Sequence, residues 1–151
     1  MAGQEHSEET AARRRWMSVL AGAPAAEVEA AWEGLPARPE RQFLRAPETG
    51  MVMVRGRAGG TGRRFNLGEM TVTRCAVRLD DGTVGYGYVA GRSPRHAELA
   101  ATFDALMLRR DEAAAAAVDA LARARKARRS ATAAKTASTK VDFFTVVRGE
   151  N

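Results

Sequence analysis

The stretch MVMVRGRAGGTGRRFNLGEMTVTRCAVRLDDGTVGYGYVAG, residues 51–91, decides the fold because it contains three runs typical of β-strands. In residues 70–79, successive residues alternate between an uncharged side and a side that carries two arginines. This period of two is typical of a pleated strand. We expect the uncharged side to face the core. Asp81-Gly82 separates this run from residues 83–90 and predicts a two-residue type I′ hairpin turn, which needs positive φ values. Residues 51–57 are the third run, so the stretch predicts an antiparallel β-meander.

Two short helices are predicted before the sheet. Ser7 is the expected N-cap of the first, which has apolar residues at helical spacing and ends near Gly22. Pro24 suits the first turn of the second helix. Residues 41–45 are a further short strand candidate, and Pro47 marks a turn between them and the meander. The sequence therefore predicts an α+β fold with an antiparallel sheet of about four strands.

The C-terminal part of the domain is predicted to be helical. Ser93-Pro94 is a helix-start signal, and this long third helix should break near Arg110-Asp111. The alanine-rich residues 111–127 favour another helix that has few large apolar anchors. We assign residues 1–129 to a single α+β domain and the polar, low-complexity residues 130–140 to a flexible linker.

Residues 141–151 are predicted to be an interface segment, because an apolar run here would be a sticky patch if it remained exposed. The segment could add a strand to the domain's own sheet, or it could pair with another chain. The interface candidates are Val141, Phe143, Phe144, Val146 and Val147.

Positive charge is concentrated in the sheet region. The chain of 151 residues has a formal net charge of +6, and residues 41–100 hold ten arginines against five acidic residues. A basic sheet surface suits an anionic ligand or partner, although it could equally be ordinary solvated charge. A stand-alone anion- or nucleic-acid-binding module is the alternative function, but no helix-turn-helix, zinc-finger spacing or aromatic RNA-binding motif accompanies the charge.

The sequence indicates a cytoplasmic protein. Cys75 is the single cysteine, which excludes an internal disulfide and fits a reducing compartment. The N-terminal residues lack the apolar core of a signal peptide, and no run approaches the roughly 20 apolar residues of a membrane span. We therefore expect a protein that is neither exported nor embedded in a membrane.

The glycine-rich loop between the first two strands of the meander is the best local candidate for a binding site. Glycine permits close approach of a ligand and arginine binds oxyanions bidentately, so the loop could contact phosphate oxygens. It could equally be a long hairpin turn that uses glycine for backbone reasons. The candidate ligand- or partner-binding residues, including three outside the loop, are Gly59, Gly60, Thr61, Gly62, Arg63, Arg64, Glu69, Arg74 and His96.

The sequence contains no complete catalytic or metal-binding constellation. His6 and His96 are the two histidines, and neither a zinc-site spacing nor a nucleophile-elbow motif occurs. His96 falls in the first turn of the third predicted helix, where a hydrogen-bonded structural role is favoured over acid–base catalysis. The catalytic residues are therefore unknown, and we expect this chain to bind no metal or cofactor alone.

Several sequence blocks together carry a family resemblance. Those in the sheet region are RAPETG at 45–50, GGTG at 59–62, TVTR at 71–74 and DGTVGYGYVAGR at 81–92. Those outside it are RRRWMSVLA at 13–21, HAELAATFDALM at 96–107 and VDFFTVVRGEN at 141–151. In order and spacing, these blocks resemble the PhnG family of subunits of the carbon–phosphorus lyase core complex, and the resemblance covers nearly the whole chain.

The resemblance implies an accessory subunit in phosphonate catabolism, assembled into a hetero-oligomer with PhnI-, PhnH- and PhnJ-type subunits and a PhnL-type accessory subunit. In such a complex, a phosphonate displaces adenine from MgATP to give an alpha-D-ribose 1-phosphonate 5-triphosphate. MgATP is therefore the implied substrate of a transferase complex, alpha-D-ribose 1-methylphosphonate 5-triphosphate synthase. The chain is expected to be non-catalytic or co-catalytic, inactive alone, and without a nucleic-acid or membrane partner.

Overall fold

The computed structural model describes residues 2–138, with side chains from residue 7 onward. Four helices and three strands lie in this range: α1 (Ala2–Gly22), α2 (Ala25–Glu33), β1 (Arg41–Arg57), β2 (Arg64–Leu79), β3 (Val84–Ala90), α3 (Pro94–Leu108) and α4 (Glu112–Ser138). A 3-10 turn, Ala58–Gly60, follows β1. The predicted α+β class is confirmed.

The strands form one antiparallel sheet in the order β1-β2-β3, so the predicted meander is confirmed with three strands instead of about four. The two strands predicted at 41–45 and 51–57 are parts of the single strand β1. Pro47, predicted to mark a turn, lies within β1 at the register shift between Arg45 and Glu48. Proline is tolerated there because β1 is an edge strand and its pairing is already irregular at this point.

The β2–β3 hairpin is confirmed, but its turn differs from the predicted two-residue type I′ turn. Gly82 has a φ of 87°, and Asp81 does not share a positive φ. The Gly82 N–H donates to the Leu79 carbonyl at 3.0 Å, and the Leu79 N–H donates to the Thr83 carbonyl at 2.9 Å. These bonds define a type I turn followed by a left-handed glycine. Asp81 favours this form because its Oδ1 accepts the Thr83 N–H at 2.9 Å.

Helix α3 covers one face of the sheet and forms the centre of the core. Its Leu99, Phe103 and Leu106 side chains are almost completely buried, as are residues on the predicted uncharged side of β2. Two glycines of β3 allow this close packing. A Cβ atom on Gly85 or Gly87 would lie 2.0 Å from a carbonyl oxygen of α3, so no larger residue fits at the present helix–sheet distance.

The predicted break after the third helix is confirmed at Arg110. The Asp111 N–H donates to the Leu106 carbonyl at 3.0 Å, and the Arg110 N–H donates to the Met107 carbonyl at 3.1 Å. This pair of bonds is a Schellman motif, in which the left-handed position usually holds glycine. Arg110 occupies that position with a φ of 60°. Asp111 then caps α4, since its Oδ1 accepts the Ala114 N–H at 2.9 Å.

Helices α1, α2 and α4 pack around α3. Helix α1 begins at Ala2, earlier than the predicted N-cap Ser7. The residues before Ser7 include glutamine and glutamate, which have good helix propensity, and glutamates near a helix N-terminus are favoured by its dipole. In α2, Trp32 packs edge to face against the Phe103 ring, with ring centroids 6.3 Å apart, and its side chain is buried in the core.

Helix α4 extends to Ser138, so residues 130–138 are helical and do not form the predicted linker. The composition is misleading because the Ser and Thr side chains do not compete with the helical backbone. Thr132 Oγ1 donates to the Arg128 carbonyl at 3.0 Å, and Thr136 Oγ1 donates to the Thr132 carbonyl at 2.9 Å. The predicted interface segment 141–151 lies outside the described residues. Among residues 2–138, we find no helix with the length and hydrophobicity that a bilayer crossing requires.

Candidate functional site

The most prominent surface feature is a two-stranded ribbon formed by residues 50–57 of β1 and 64–72 of β2, which we call the arm. Strand β3 pairs with β2 only between Val72 and Arg78, so in the described range a third strand meets the arm only at its base, at Val72. At about 3.3 Å per residue, the β1 part of the arm spans about 25 Å. The arm therefore extends well beyond the three-stranded part of the sheet.

The glycine-rich loop forms the tip of the arm. Gly59 and Gly60 have φ values of 59° and 80°. The Gly62 N–H donates to the Ala58 carbonyl at 2.9 Å, and Arg57 Nη1 donates to the Gly62 carbonyl at 3.3 Å. These contacts show that the glycines close a hairpin, the backbone role that one interpretation of the sequence gives them. A binding role for the loop remains a prediction.

Positive charge is concentrated on the arm. Residues 50–72 contain four arginines and one acidic residue, Glu69, a net charge of +3. Arg55, Arg63 and Arg64 are exposed, and none forms an ion pair with the part of the chain that the structure describes. The neighbouring loop residue Thr61 is also exposed. The arm thus presents uncompensated guanidinium groups.

The two faces of the arm differ in chemistry. Residues directly opposite each other in an antiparallel pair share a face, and successive residues alternate between faces. Val52 pairs with Met70 and Gly56 pairs with Phe65. A Cβ at Gly56 would lie 3.8 Å from the Leu67 side chain, which places Leu67 on the same side. One face is therefore apolar, and the other carries, in order along β1, Met51, Met53, Arg55 and Arg57.

Arg74 and Glu69, two further sequence candidates, lie apart on opposite faces of β2. Arg74 Nε donates to Glu48 Oε1 at 2.5 Å, and Arg45 Nη1 donates to the same oxygen at 2.7 Å. These hydrogen bonds, that from Arg74 foremost, hold the pKa of Glu48 below its usual value. Glu69 is about 16 Å farther along the strand and is opposite Met53 on the arm. The structure does not bring the two candidates into one site.

His96 lies in the core, away from the arm. Its side chain is buried, and Nε2 donates a hydrogen bond of 2.8 Å to the Leu20 carbonyl. This bond joins α3 to α1. The sequence candidates therefore occupy four separate places: the tip of the arm, one face of the arm, the outer face of the sheet and the core.

A buried acid that sequence reasoning missed is Asp104, in the middle of α3. Its Oδ1 accepts from Arg13 Nε at 3.1 Å and Trp16 Nε1 at 2.8 Å. Its Oδ2 accepts from Arg13 Nη2 at 2.7 Å and the Tyr86 backbone N–H at 2.9 Å. The hydrogen bonds that Arg13 donates to Asp104 raise the pKa of the Arg13 guanidinium. Because both oxygens have two donors, this carboxylate ties α1 and the β3 edge to α3. The signal in the sequence that could have identified Asp104 is a charged residue within the apolar stripe of a helix.

Cys75 is a packing residue. It is almost fully buried, its Sγ donates to the Arg45 carbonyl at 3.4 Å, and burial raises the pKa of the thiol to about 11. A thiol with this pKa is poorly suited to act as a nucleophile. Within residues 2–138, no three side chains from His, Cys, Asp and Glu lie together as metal ligands would.

The geometry defines a small α+β protein whose surface carries a basic, partly apolar arm. Its four buried polar residues in the described range form hydrogen bonds within the fold: Thr73, His96, Thr102 and Asp104. A family model described as "Phosphonate metabolism protein PhnG" matches residues 11–149. The chain belongs to this family, as the sequence resemblance implies. A relative from Rhizobium meliloti (strain 1021), named alpha-D-ribose 1-methylphosphonate 5-triphosphate synthase subunit PhnG, is 48% identical over 145 residues, which cover 93% of this chain and 92% of the relative.

Proposed function

We propose that this chain is an accessory subunit of a hetero-oligomeric synthase that makes alpha-D-ribose 1-methylphosphonate 5-triphosphate in phosphonate catabolism. The observation that carries this proposal is 48% identity, over 93% of the chain, to a protein named as a subunit of that synthase. The match to a phosphonate metabolism family over residues 11–149 supports the same conclusion.

The proposed reaction takes place in the assembled complex. An oxygen of the phosphonate bonds to the ribose carbon that holds adenine, the N-glycosidic bond breaks, and adenine leaves. MgATP is the proposed co-substrate, and the proposed partners are PhnI-, PhnH- and PhnJ-type subunits with a PhnL-type accessory subunit. A cytoplasmic location is proposed because ATP is available there and because the single cysteine suits a reducing compartment.

An accessory role is supported by the way the reactive groups of the chain are used. His96 Nε2 donates a hydrogen bond to a backbone carbonyl, and the Cys75 thiol is buried and has a raised pKa. The Asp104 carboxylate accepts four hydrogen bonds. Each of these contacts stabilises the fold. The exposed Arg63 and Arg64 at the tip of the arm are the residues that we propose to face an anionic group in the complex.

Co-expression followed by gel filtration tests this function. The full chain should be produced together with the PhnI-, PhnH- and PhnJ-type subunits of the same organism, with only one of those subunits tagged. We expect the untagged chain to elute with the tagged subunit after affinity purification. Loss of the chain in the affinity flow-through, or its elution at the volume of the free protein, would contradict the proposal and favour a stand-alone module.

A further inference from the structure

The arm exposes large apolar side chains that nothing in the described structure covers. Phe65, Leu67 and Met70 on its apolar face are 46%, 65% and 40% exposed. Met51 and Met53 on the opposite face are 63% and 51% exposed. Contiguous apolar patches of this kind mark interaction surfaces, and methionine and aromatic residues are enriched in protein interfaces. A two-stranded ribbon is also only marginally stable alone in water, so an occupant of this surface would order the arm.

The charge of the arm argues against a second copy of the chain as the occupant. Residues 50–72 carry four arginines and one glutamate. An arm-to-arm contact would bring these like charges together, and such juxtaposition costs several kcal/mol in an interface. A different protein that offers carboxylates beside an apolar surface would instead attract the arm. Charge complementarity therefore favours an unlike partner.

A nucleic acid fits the arm less well than a protein does. Proteins that bind single-stranded nucleic acid stack successive bases on several aromatic side chains. The arm has one aromatic residue, Phe65, among aliphatic and methionine side chains, and the exposed Tyr86 and Tyr88 pair with β2 beyond the base of the arm.

We propose that the arm docks on another subunit of the complex, with its apolar face against an apolar groove and its arginines against carboxylates at the rim of that groove. This inference rests on the proposed function and deepens it. The docking surface extends from the arm to the outer face of the sheet, because Met70 and Arg74 lie on the same side of β2 and Arg74 pairs with Tyr88 on β3. Tyr86 and Tyr88 are 52% and 48% exposed there.

Two double variants separate the apolar and the ionic parts of the surface. Phe65→Glu/Leu67→Glu places charge on the apolar face, and Arg63→Glu/Arg64→Glu reverses the charge of the tip. Leu108→Glu is the matched apolar control because Leu108 is an exposed residue at the end of α3, and Arg123→Glu is the charge control on the exposed side of α4. Circular dichroism and the thermal midpoint of each isolated variant establish that it is folded.

The binding assay titrates each fluorescently labelled full-length variant with the purified PhnI-, PhnH- and PhnJ-type subunits. Each titration is made at about 50 and about 500 mM salt, on either side of the physiological ionic strength of about 0.15 M. We expect the dissociation constant to rise about tenfold or more for both arm variants and less than about twofold for both controls. The dissociation constant of the charge-reversed arm should also depend less on salt. Equal binding by wild type and arm variants would overturn the docking inference while leaving the proposed function intact. Loss of turnover with full binding by Arg63→Glu/Arg64→Glu would also overturn it, because the tip would then contact substrate.

Hydrogen exchange of the wild-type chain provides a test that needs no variant. Amides of residues 50–57 and 64–72 should exchange fast in the free chain and become protected in the complex. Unchanged exchange in the arm, with protection elsewhere, would overturn the inference. If the wild-type chain binds a single-stranded oligonucleotide through the arm and does not bind the subunits, both the docking inference and the proposed function fail.

Discussion

The substitution Gly87→Ala tests how closely α3 packs on the sheet. A Cβ atom at this position would lie 2.0 Å from the Ala97 carbonyl oxygen and 2.9 Å from the Ala101 nitrogen. Ordinary contacts begin at 3.4 Å, and the neighbouring atoms are backbone atoms that no rotamer change can remove. The helix and strand would therefore have to separate by roughly 1 Å or more.

The cost follows from the burial of α3. A gap of 0.5–1 Å removes about a quarter to a half of the attraction of each contact that it opens. Phe103, Leu99 and Val77 are completely buried between these layers, so several contacts would open together. We expect a loss of about 3 kcal/mol, at the upper end of the usual range for overpacking. For a chain of this length, the thermal midpoint should fall by roughly 6–12 °C.

Thermal and urea unfolding of the isolated chain measure this loss. Gly50→Ala is the matched control, because a Cβ at Gly50 would meet no atom within 4 Å. The control should change the free energy of unfolding by less than about 0.5 kcal/mol. If Gly87→Ala were as stable as Gly50→Ala, the close packing of α3 on β3 described above would be incorrect.

Three further predictions concern individual residues. Asp104→Asn should destabilise the chain by about 3 kcal/mol or more, because the amide nitrogen would face two donors in a buried site; an unchanged urea midpoint would show that the carboxylate is not required. Arg110→Gly should stabilise by about 1 kcal/mol, since glycine adopts a φ of 60° without the side-chain penalty, and a lower thermal midpoint would refute this. Cys75 should not react with a maleimide at pH 8 in the folded chain and should react fully in denaturant; rapid labelling of the native protein would contradict its burial.

The meander could be predicted because its strands alternate and its turns contain glycine, which are local signals. The continuity of β1 through Pro47 could not, because it depends on β1 being an edge strand whose pairing shifts at that point. The type I′ turn predicted at Asp81-Gly82 is wrong, since Asp-Gly also fits a type I turn with a left-handed glycine. Helix α4 extends through a segment whose composition resembles that of a linker.

The candidate site was predicted only in part. The loop at 59–64 can be predicted from its local turn residues, but nothing in the sequence indicates that it ends an arm, because the length of a ribbon depends on where the third strand stops pairing. The role of Asp104 could not be predicted, because its hydrogen-bond donors lie on distant segments of the chain. Val141, Phe143, Phe144, Val146 and Val147 lie outside the described residues, and their interface role stays a prediction.

The most direct test of the proposed function is reconstitution of the synthesis. Purified PhnI-, PhnH-, PhnJ- and PhnL-type subunits would be incubated with MgATP and methylphosphonate, with and without this chain, and adenine release would be measured together with the triphosphate product. We predict that both products form when this chain is added to the other subunits, and that neither forms with this chain alone. Full product formation without this chain, or adenine release by this chain alone, would contradict its assignment as an accessory subunit.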